Sequence, residues 1–169
     1  MMRAAFKSAV RANVMAEKVA PTIRYAAAGD AALLAELGAR TFAETFAADN
    51  TPEDMEAYLA SAFGVTQQAA ELSDPRATFL LAEIEGTPVG YAKLYAGNAP
   101  SCVTGERPVE LARLYAGQAW IGRGVGASLM TACVADAVRR GHRTLWLGVW
   151  EHNLRAQAFY HRWLNNASG

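Results

Sequence analysis

The chain has 169 residues, 52% of them apolar and 19% charged, with six Phe, six Tyr and four Trp. That composition excludes intrinsic disorder and fits one domain able to bury roughly 70% of the surface its unfolded form exposes. Sixteen Lys and Arg balance sixteen Asp and Glu, which argues against nucleic-acid binding by bulk phosphate neutralisation, and no apolar run approaches the ~20 residues of a membrane span.

Residues Met1–Ala20 carry Arg3, Lys7, Arg11 and Lys18 against one acid, Glu17. They read as an extension outside the fold, either a transit-like segment or the product of a start upstream of Met15. The domain is expected over residues 21–165, with 166–169 as a tail. Thr22–Tyr25 predicts a first strand, ending in a Gly29-Asp30 turn. Leu33, Leu34, Leu37, Phe42 and Phe46 then recur at helical spacing. Thr51-Pro52-Glu53-Asp54 has the form of a helix start, with Thr as N-cap, Pro in the first helical position and an acid three residues on. Met55, Tyr58, Leu59 and Phe63 give that helix its apolar face, and Asp74-Pro75 ends the pattern. Thr78–Glu85 and Val89–Ala96, joined by Gly86-Thr87-Pro88, predict an antiparallel hairpin.

Asn98–Pro108 reads as a loop and Val109–Ala116 as a strand whose apolar alternation slips between Leu111 and Leu114, the signature of a β-bulge. Gly122-Arg123-Gly124-Val125-Gly126 opens a helix with the stripe Met130, Cys133, Val134, Ala137, Val138, and Arg139-Arg140-Gly141 is a basic last turn followed by a glycine stop. Thr144–Trp150 is almost continuously apolar, as expected of a strand covered on both faces, and Leu154–Trp163 forms a last helix. Strand, glycine loop, helix, buried strand is a βαβ unit with parallel strands and a right-handed crossover. Two cysteines, Cys102 and Cys133, are too few for a disulfide framework and read as free thiols of a cytoplasmic protein.

Three glycines within five residues, between a strand and a helix, let backbone N–H groups converge on an anion, aided by the helix dipole. A tight turn requiring φ > 0 is the plainer account of the same glycines. A phosphate loop of the nucleotide-hydrolysing kind needs a lysine after them and none follows. Gly122-x-Gly124-x-x-Ala127 matches a loose dinucleotide fingerprint, with Glu151 beyond the usual offset for a ribose-binding acid. That fingerprint normally opens its domain, whereas this one comes late in the chain.

Leu114-Tyr115-Ala116, then Gly122-Arg123-Gly124-Val125-Gly126-Ala127, then Asn153-x-x-Ala156-x-x-Phe159-Tyr160 together resemble the GNAT superfamily of N-acetyltransferases, over about Pro21–Trp163. Phe42–Phe46 and Leu145–Glu151 are similar to bacterial polyamine-type members. The resemblance implies an α/β (α+β) fold of order β-α-α-β-β-β-α-β-α. It has a mixed, mostly antiparallel sheet and a central parallel strand–helix–strand unit flanked by helices. Two departures stand out. Ile121 occupies the position where the family pattern usually has Gln or Arg, and Leu164-Asn165 replaces the Gly-Phe that normally follows the last helix. The family's two final strands are missing, so the chain reads as a truncated member. Thr144–Trp150 would then carry an exposed edge open to self-association or a homodimer.

What the resemblance implies for function is direct acetyl transfer from acetyl-CoA, as co-substrate and without a metal, to a primary amine in a ternary complex. Leu114, Tyr115 and Ala116 would meet the pantetheine, chiefly through freed backbone groups of Leu114 and Ala116. The amides of Gly122, Arg123, Gly124, Val125, Gly126 and Ala127 would take the pyrophosphate, with the Arg123 side chain helping. Arg139, Arg140 and Arg143 either add to this or are solvated helix-end charges. Tyr160 would protonate the departing thiolate. Asn153 would anchor cofactor or water, or simply cap the last helix. Glu110 is the candidate general base, directly or through water. Between Thr41 and Pro75 there is no Lys or Arg, while Glu44, Asp49, Glu53, Asp54, Glu56, Glu71 and Asp74 are present. Such an acidic rim favours a small cationic acceptor, a polyamine among them. A non-catalytic acyl-CoA or nucleotide-binding module is the rival reading, separable by whether thiol is released from acetyl-CoA.

Overall fold

A computed structural model describes residues 20–167; the proposed N-terminal extension, up to residue 19, lies outside the described residues. Strand β1 (Thr22–Tyr25) leads into α1 (Ala31–Phe46), α2 (Pro52–Ala62) and α3 (Val65–Ser73), then into β2 (Ala77–Ile84), β3 (Thr87–Tyr95) and β4 (Pro108–Ala116). Helix α4 (Val125–Arg139), β5 (Thr144–Trp146) and α5 (Leu154–Ala167) complete the order. The sheet runs β1-β2-β3-β4-β5, antiparallel except for the parallel β4/β5 pair. Among the described residues, no helix is long and apolar enough to cross a membrane.

Local chemistry accounts for the element starts. Thr51 Oγ1 accepts from Asp54 N at 3.2 Å and donates to Asp54 Oδ2 at 2.8 Å, so the predicted cap of α2 forms. Arg24 on β1 grips Asp30 through both Nη atoms, at 2.8 and 3.0 Å, and Glu83 on β2 through Nε at 2.8 Å. The entry to α1 is thereby tied to the sheet. Glu85 (φ 50) and Gly86 (φ 77) form the turn of the β2–β3 hairpin, so it lies one residue earlier than the expected Gly86-Thr87-Pro88. The type I′ turn formed here needs left-handed backbone at both central positions, and Glu85 and Gly86 supply it.

The two sheet faces are filled separately. On one, Leu80, Ala82, Ala92, Leu94, Val109 and Leu111 pack on Leu129, Met130 and Cys133 of α4. On the other, Phe79, Leu81 and Tyr91 meet Leu34 and Leu37 of α1. At the far end of α4 the buried Asp136 accepts from Tyr25 Oη at 2.8 Å and pairs with Arg139 and Arg140. Burial raises the Asp136 pKa, but these donors outweigh it and hold the carboxyl below its ordinary range.

Three expectations need correction. Helix α3 is an addition to the predicted order; its apolar signal is carried mostly by small residues around polar Gln67 and Gln68. Gln68 is nevertheless buried, and its Nε2 donates to Ala62 O at 2.9 Å, closing the end of α2. Strand β5 stops at Trp146 instead of Trp150, because β4 pairs with it only over Pro108–Glu110. Val149 and Trp150 are 39% and 41% exposed, so the full segment is not covered on both faces, and the edge expected to drive self-association is three residues long. Helix α5 continues to Ala167, so the expected tail starts inside it.

Gly38 tests how tightly α1 is seated. A Cβ there would lie 2.5 Å from Phe63 Cδ1 and 3.2 Å from Tyr91 Oη, and both rings are buried. Gly38→Ala gains about 1 kcal/mol of helix propensity, but overpacking against two fixed rings costs about 1–3 kcal/mol. We expect net destabilisation, read as a lower urea midpoint at unchanged slope; a raised midpoint would show that Phe63 yields.

Candidate functional site

The site grows from a strand that loses its neighbour. Between β3 and β4 the register shifts: Lys93 faces Arg113 while Leu94 faces Leu111. Ala112 is therefore the extra residue, the bulge that the sequence predicts there. Before it, β4 pairs with β5 as far as Glu110 opposite Trp146; beyond it the two part. Gly117 N donates to Val89 O at 2.9 Å, so by ladder alternation the odd-numbered positions Arg113, Tyr115 and Gly117 bond to β3. Leu114 and Ala116 consequently turn their N–H and C=O groups into the gap.

Past the gap the chain makes a short 3-10 turn, Gln118–Trp120, pinned by Gln118 N donating to Glu44 Oε2 at 2.9 Å. Gly122 (φ 76) and Gly124 (φ 89) are left-handed, and Gly124 occupies the N-cap of α4 without a side-chain cap. A Cβ at either would meet nothing within 4 Å, so conformation rather than crowding requires glycine. The first-turn amides of α4, from Val125 to Ala127, are those an α-helix leaves without internal partners. Arg123 N is different: it donates to Trp120 O at 3.2 Å.

These elements and the facing side of α5 enclose a cleft of about 470 Å³. Leu114, Tyr115, Ala116, Gly122, Gly124, Gly126, Ala127, Asn153 and Tyr160 all border it, as the sequence expects. Val125 has a fully buried side chain and can contribute only its amide. Arg123 lies outside the lining, its guanidinium 5.3 Å from the Trp120 ring centroid. Glu110 also lies outside it, at the apex where β4 and β5 part and opposite the α4-facing Val109 and Leu111. Arg139 and Arg140 end a helix of 15 residues, about 22 Å from the glycine loop, and both pair with Asp136. Arg143 lies 4.0 Å from Glu106. None of these three borders the cleft. Arg155 and Arg162, which sequence reasoning passes over, do; they are seven positions apart, on one helix face.

Asn153 caps α5, its Oδ1 accepting from Ala156 N at 3.1 Å; the amide nitrogen is left for the cleft. Tyr160 is half-buried and its phenol is pushed up to about 12, first by burial and then by the Tyr115 phenol and Cys133 thiol. The Tyr115 ring points to the other sheet face, 5.9 Å from Tyr91 and 6.4 Å from Phe42. The acidic rim is largely spent. Glu71 is bound by Lys93 at 2.6 Å and Arg113 at 2.8 Å, Asp74 by Arg76, Glu44 by Gln118 N, and Asp54 serves as a cap contact.

A match to the model of the acetyltransferase (GNAT) family covers residues 38–165. An uncharacterized N-acetyltransferase of Lactobacillus delbrueckii subsp. lactis is 33% identical over 120 residues, 71% of this chain and 69% of that one. Another, from Mycobacterium bovis, is 37% identical over 131 residues, 78% of this chain and 80% of that one. Among solved structures, a GCN5-related N-acetyltransferase from Rhodopseudomonas palustris is 27% identical with TM-score 0.64, covering 85% of this chain and 80% of that one. The PaiA N-acetyltransferase of Thermoplasma acidophilum, solved with coenzyme A, shares the fold at TM-score 0.74 and 20% identity, covering 84% and 87%.

The two thiols should differ sharply. Cys102 is exposed, whereas Cys133 is fully buried beside Asp136 and its thiol is pushed up to about 12, by burial first. Thiolate is the reactive form, so a disulfide reagent at pH 8 should titrate one thiol promptly and the second only on unfolding. Two fast equivalents would mean that α4 opens readily.

Proposed function

Because the chain belongs to the acetyltransferase (GNAT) family, and is an acyltransferase by that membership, we propose that its cleft takes acetyl-CoA and passes the acetyl group directly to a small primary amine. The observation that carries the reading is the half-paired β4: Leu114 and Ala116 present unpaired backbone groups to the same cleft that the glycine-loop amides face. An amide-bearing pantetheine arm can complete the broken ladder, and the pyrophosphate suits the dipole end of α4. Arg155 and Arg162 supply the positive charge that Ile121 does not.

In this reading the neutral amine attacks the thioester carbonyl, the C–S bond breaks, nitrogen gives up one proton and the departing thiolate takes one from solvent. Glu110, at the apex of the gap, is the proposed acceptor for the amine proton, directly or through water. The pKa of Tyr160 refines its role. A thiol of about 8.5 is a stronger acid than a phenol at about 12. Burial therefore makes full transfer from Tyr160 less favourable than from an ordinary phenol. Tyr160 therefore acts as a hydrogen-bond donor that steadies the developing thiolate while keeping its own proton.

Two variants test the assignment. Gly124→Asp adds a side chain at φ 89 and a negative charge beside phosphate; it should abolish acetyl-CoA binding in calorimetry, and unchanged affinity would sink the loop's role. Tyr160→Phe removes a hydrogen bond to a developing anion, a loss of about 1.5–3 kcal/mol. The expected rate in a thiol-release assay is about 10- to 100-fold lower, with acetyl-CoA affinity near that of the parent. A rate equal to the parent's takes Tyr160 out of the mechanism. Binding without thiol release from the parent would favour the non-catalytic module.

A further inference from the structure

On the α1-facing side of β4, aromatic rings from four separate segments converge. Phe42 of α1 is the hub: its centroid lies 4.6 Å from Phe46, 4.7 Å from Tyr58 of α2, 5.6 Å from Phe63 and 6.4 Å from Tyr115 of β4. Phe46 lies in turn 5.8 Å from Trp150, in the segment that has left the sheet after β5. Burial divides the group. Phe63 is 4% exposed and works as core, but Tyr58 and Trp150 are 49% and 41% exposed. Large rings left this open gain little for the fold, and a contiguous exposed apolar patch marks a contact surface.

Position and charge say which contact. Tyr115 belongs to both regions: its residue borders the acyl-CoA cleft and its ring belongs to this wall. The one charged cluster seen in contact with the wall does not favour a chain of ammonium groups. Arg113 lies 5.2 Å over the Phe63 ring, and it and Lys93 share the single carboxylate of Glu71, a cluster with one net positive charge. Resting on the acetyl-transfer reading above, we infer that this wall is the acceptor's specificity surface, and that the acceptor is a primary amine on an aromatic body, not an aliphatic polyamine. A flat ring is able to stack on Tyr58, Phe46 and Trp150, each aromatic contact adding about 0.5–1.5 kcal/mol beyond the area it buries. The short alkyl link then directs the amine past Tyr115 towards Glu110.

The experiment compares 2-phenylethylamine with spermidine in the full chain. With acetyl-CoA, kcat/KM for phenylethylamine should exceed that for spermidine at least 10-fold. Trp150→Ala and Tyr58→Ala, at side chains exposed enough to be removed without opening the core, should each cut that ratio about 10-fold, chiefly through KM. Calorimetry of the two amines against the CoA-loaded protein gives the same comparison without turnover. Tighter phenylethylamine binding that Trp150→Ala abolishes supports the aromatic wall even where no thiol is released, an outcome that would count against acetyl transfer alone. Spermidine preferred or equal, or both amines weakened alike by the two variants, overturns the inference.

Discussion

A β-strand with a free edge inside a protein is an unfinished hydrogen-bond ladder, and β4 is left in that state where the sheet meets its cleft. Each buried backbone group without a partner costs about 1–3 kcal/mol, so water or a ligand must complete the edge. The bulge at Ala112 is what creates it. With one extra residue β4 bends and twists, and Thr144–Trp146 follows it for only three pairs before the strands diverge. The bulge also keeps Leu114 and Ala116 on the α4 side after Val109 and Leu111. The apolar wall of the cleft therefore continues the core without a break.

The second constraint is the short path from the end of β4 to the start of α4. Gly117 closes the last rung to Val89, Trp120 O takes the Arg123 amide, and two left-handed glycines then swing the chain into the helix. Glu44 reaches across from α1 to hold the turn by its Gln118 amide. Helix α4 is fixed at its other end as well, where Asp136 joins it to β1 through Tyr25. A helix anchored at both ends aims its first amides steadily, which is what an anion site built of backbone requires.

Features carried by neighbours along the chain are legible in the amino-acid sequence. Thr51 as the cap of α2, the slip between Leu111 and Leu114, the glycine loop and the stripe of α4 all depend on spacing within one element. Features assembled from distant segments are not legible in that way. Gln68 reads as a solvent-facing polar residue, and only the carbonyl left over at Ala62 explains its burial. Asp136 looks like the polar side of a helix until Tyr25, 111 positions away, supplies a donor. Apolar content alone makes Thr144–Trp150 read as a covered strand, but strand length depends on a partner, and the bulge removes the partner. Arg139 and Arg140 cannot be weighed from sequence because their meaning depends on Asp136 being buried between them.

The acidic stretch shows why charge counts need geometry. Seven carboxylates between Thr41 and Pro75 suggest a field that draws cations. Burial alone would raise the Glu71 pKa, yet Lys93, Arg113 and Gln67 outweigh it and keep the carboxylate ionised. That ionised group is a tether from α3 to β3 and β4, with its field cancelled by the two cations it holds. Asp49, Glu53 and Glu56 stay on exposed outer positions, where screening limits their reach to about one Debye length, ~8 Å at physiological salt. The face of β4 opposite α4 thus combines rings with a paired charge cluster. Phe42 and Phe63 are held by packing, and Arg113 lies over Phe63 because Glu71 places it there. What surrounds Tyr115 is therefore set by which charges are already paired, and the count of acids in the sequence does not reveal that.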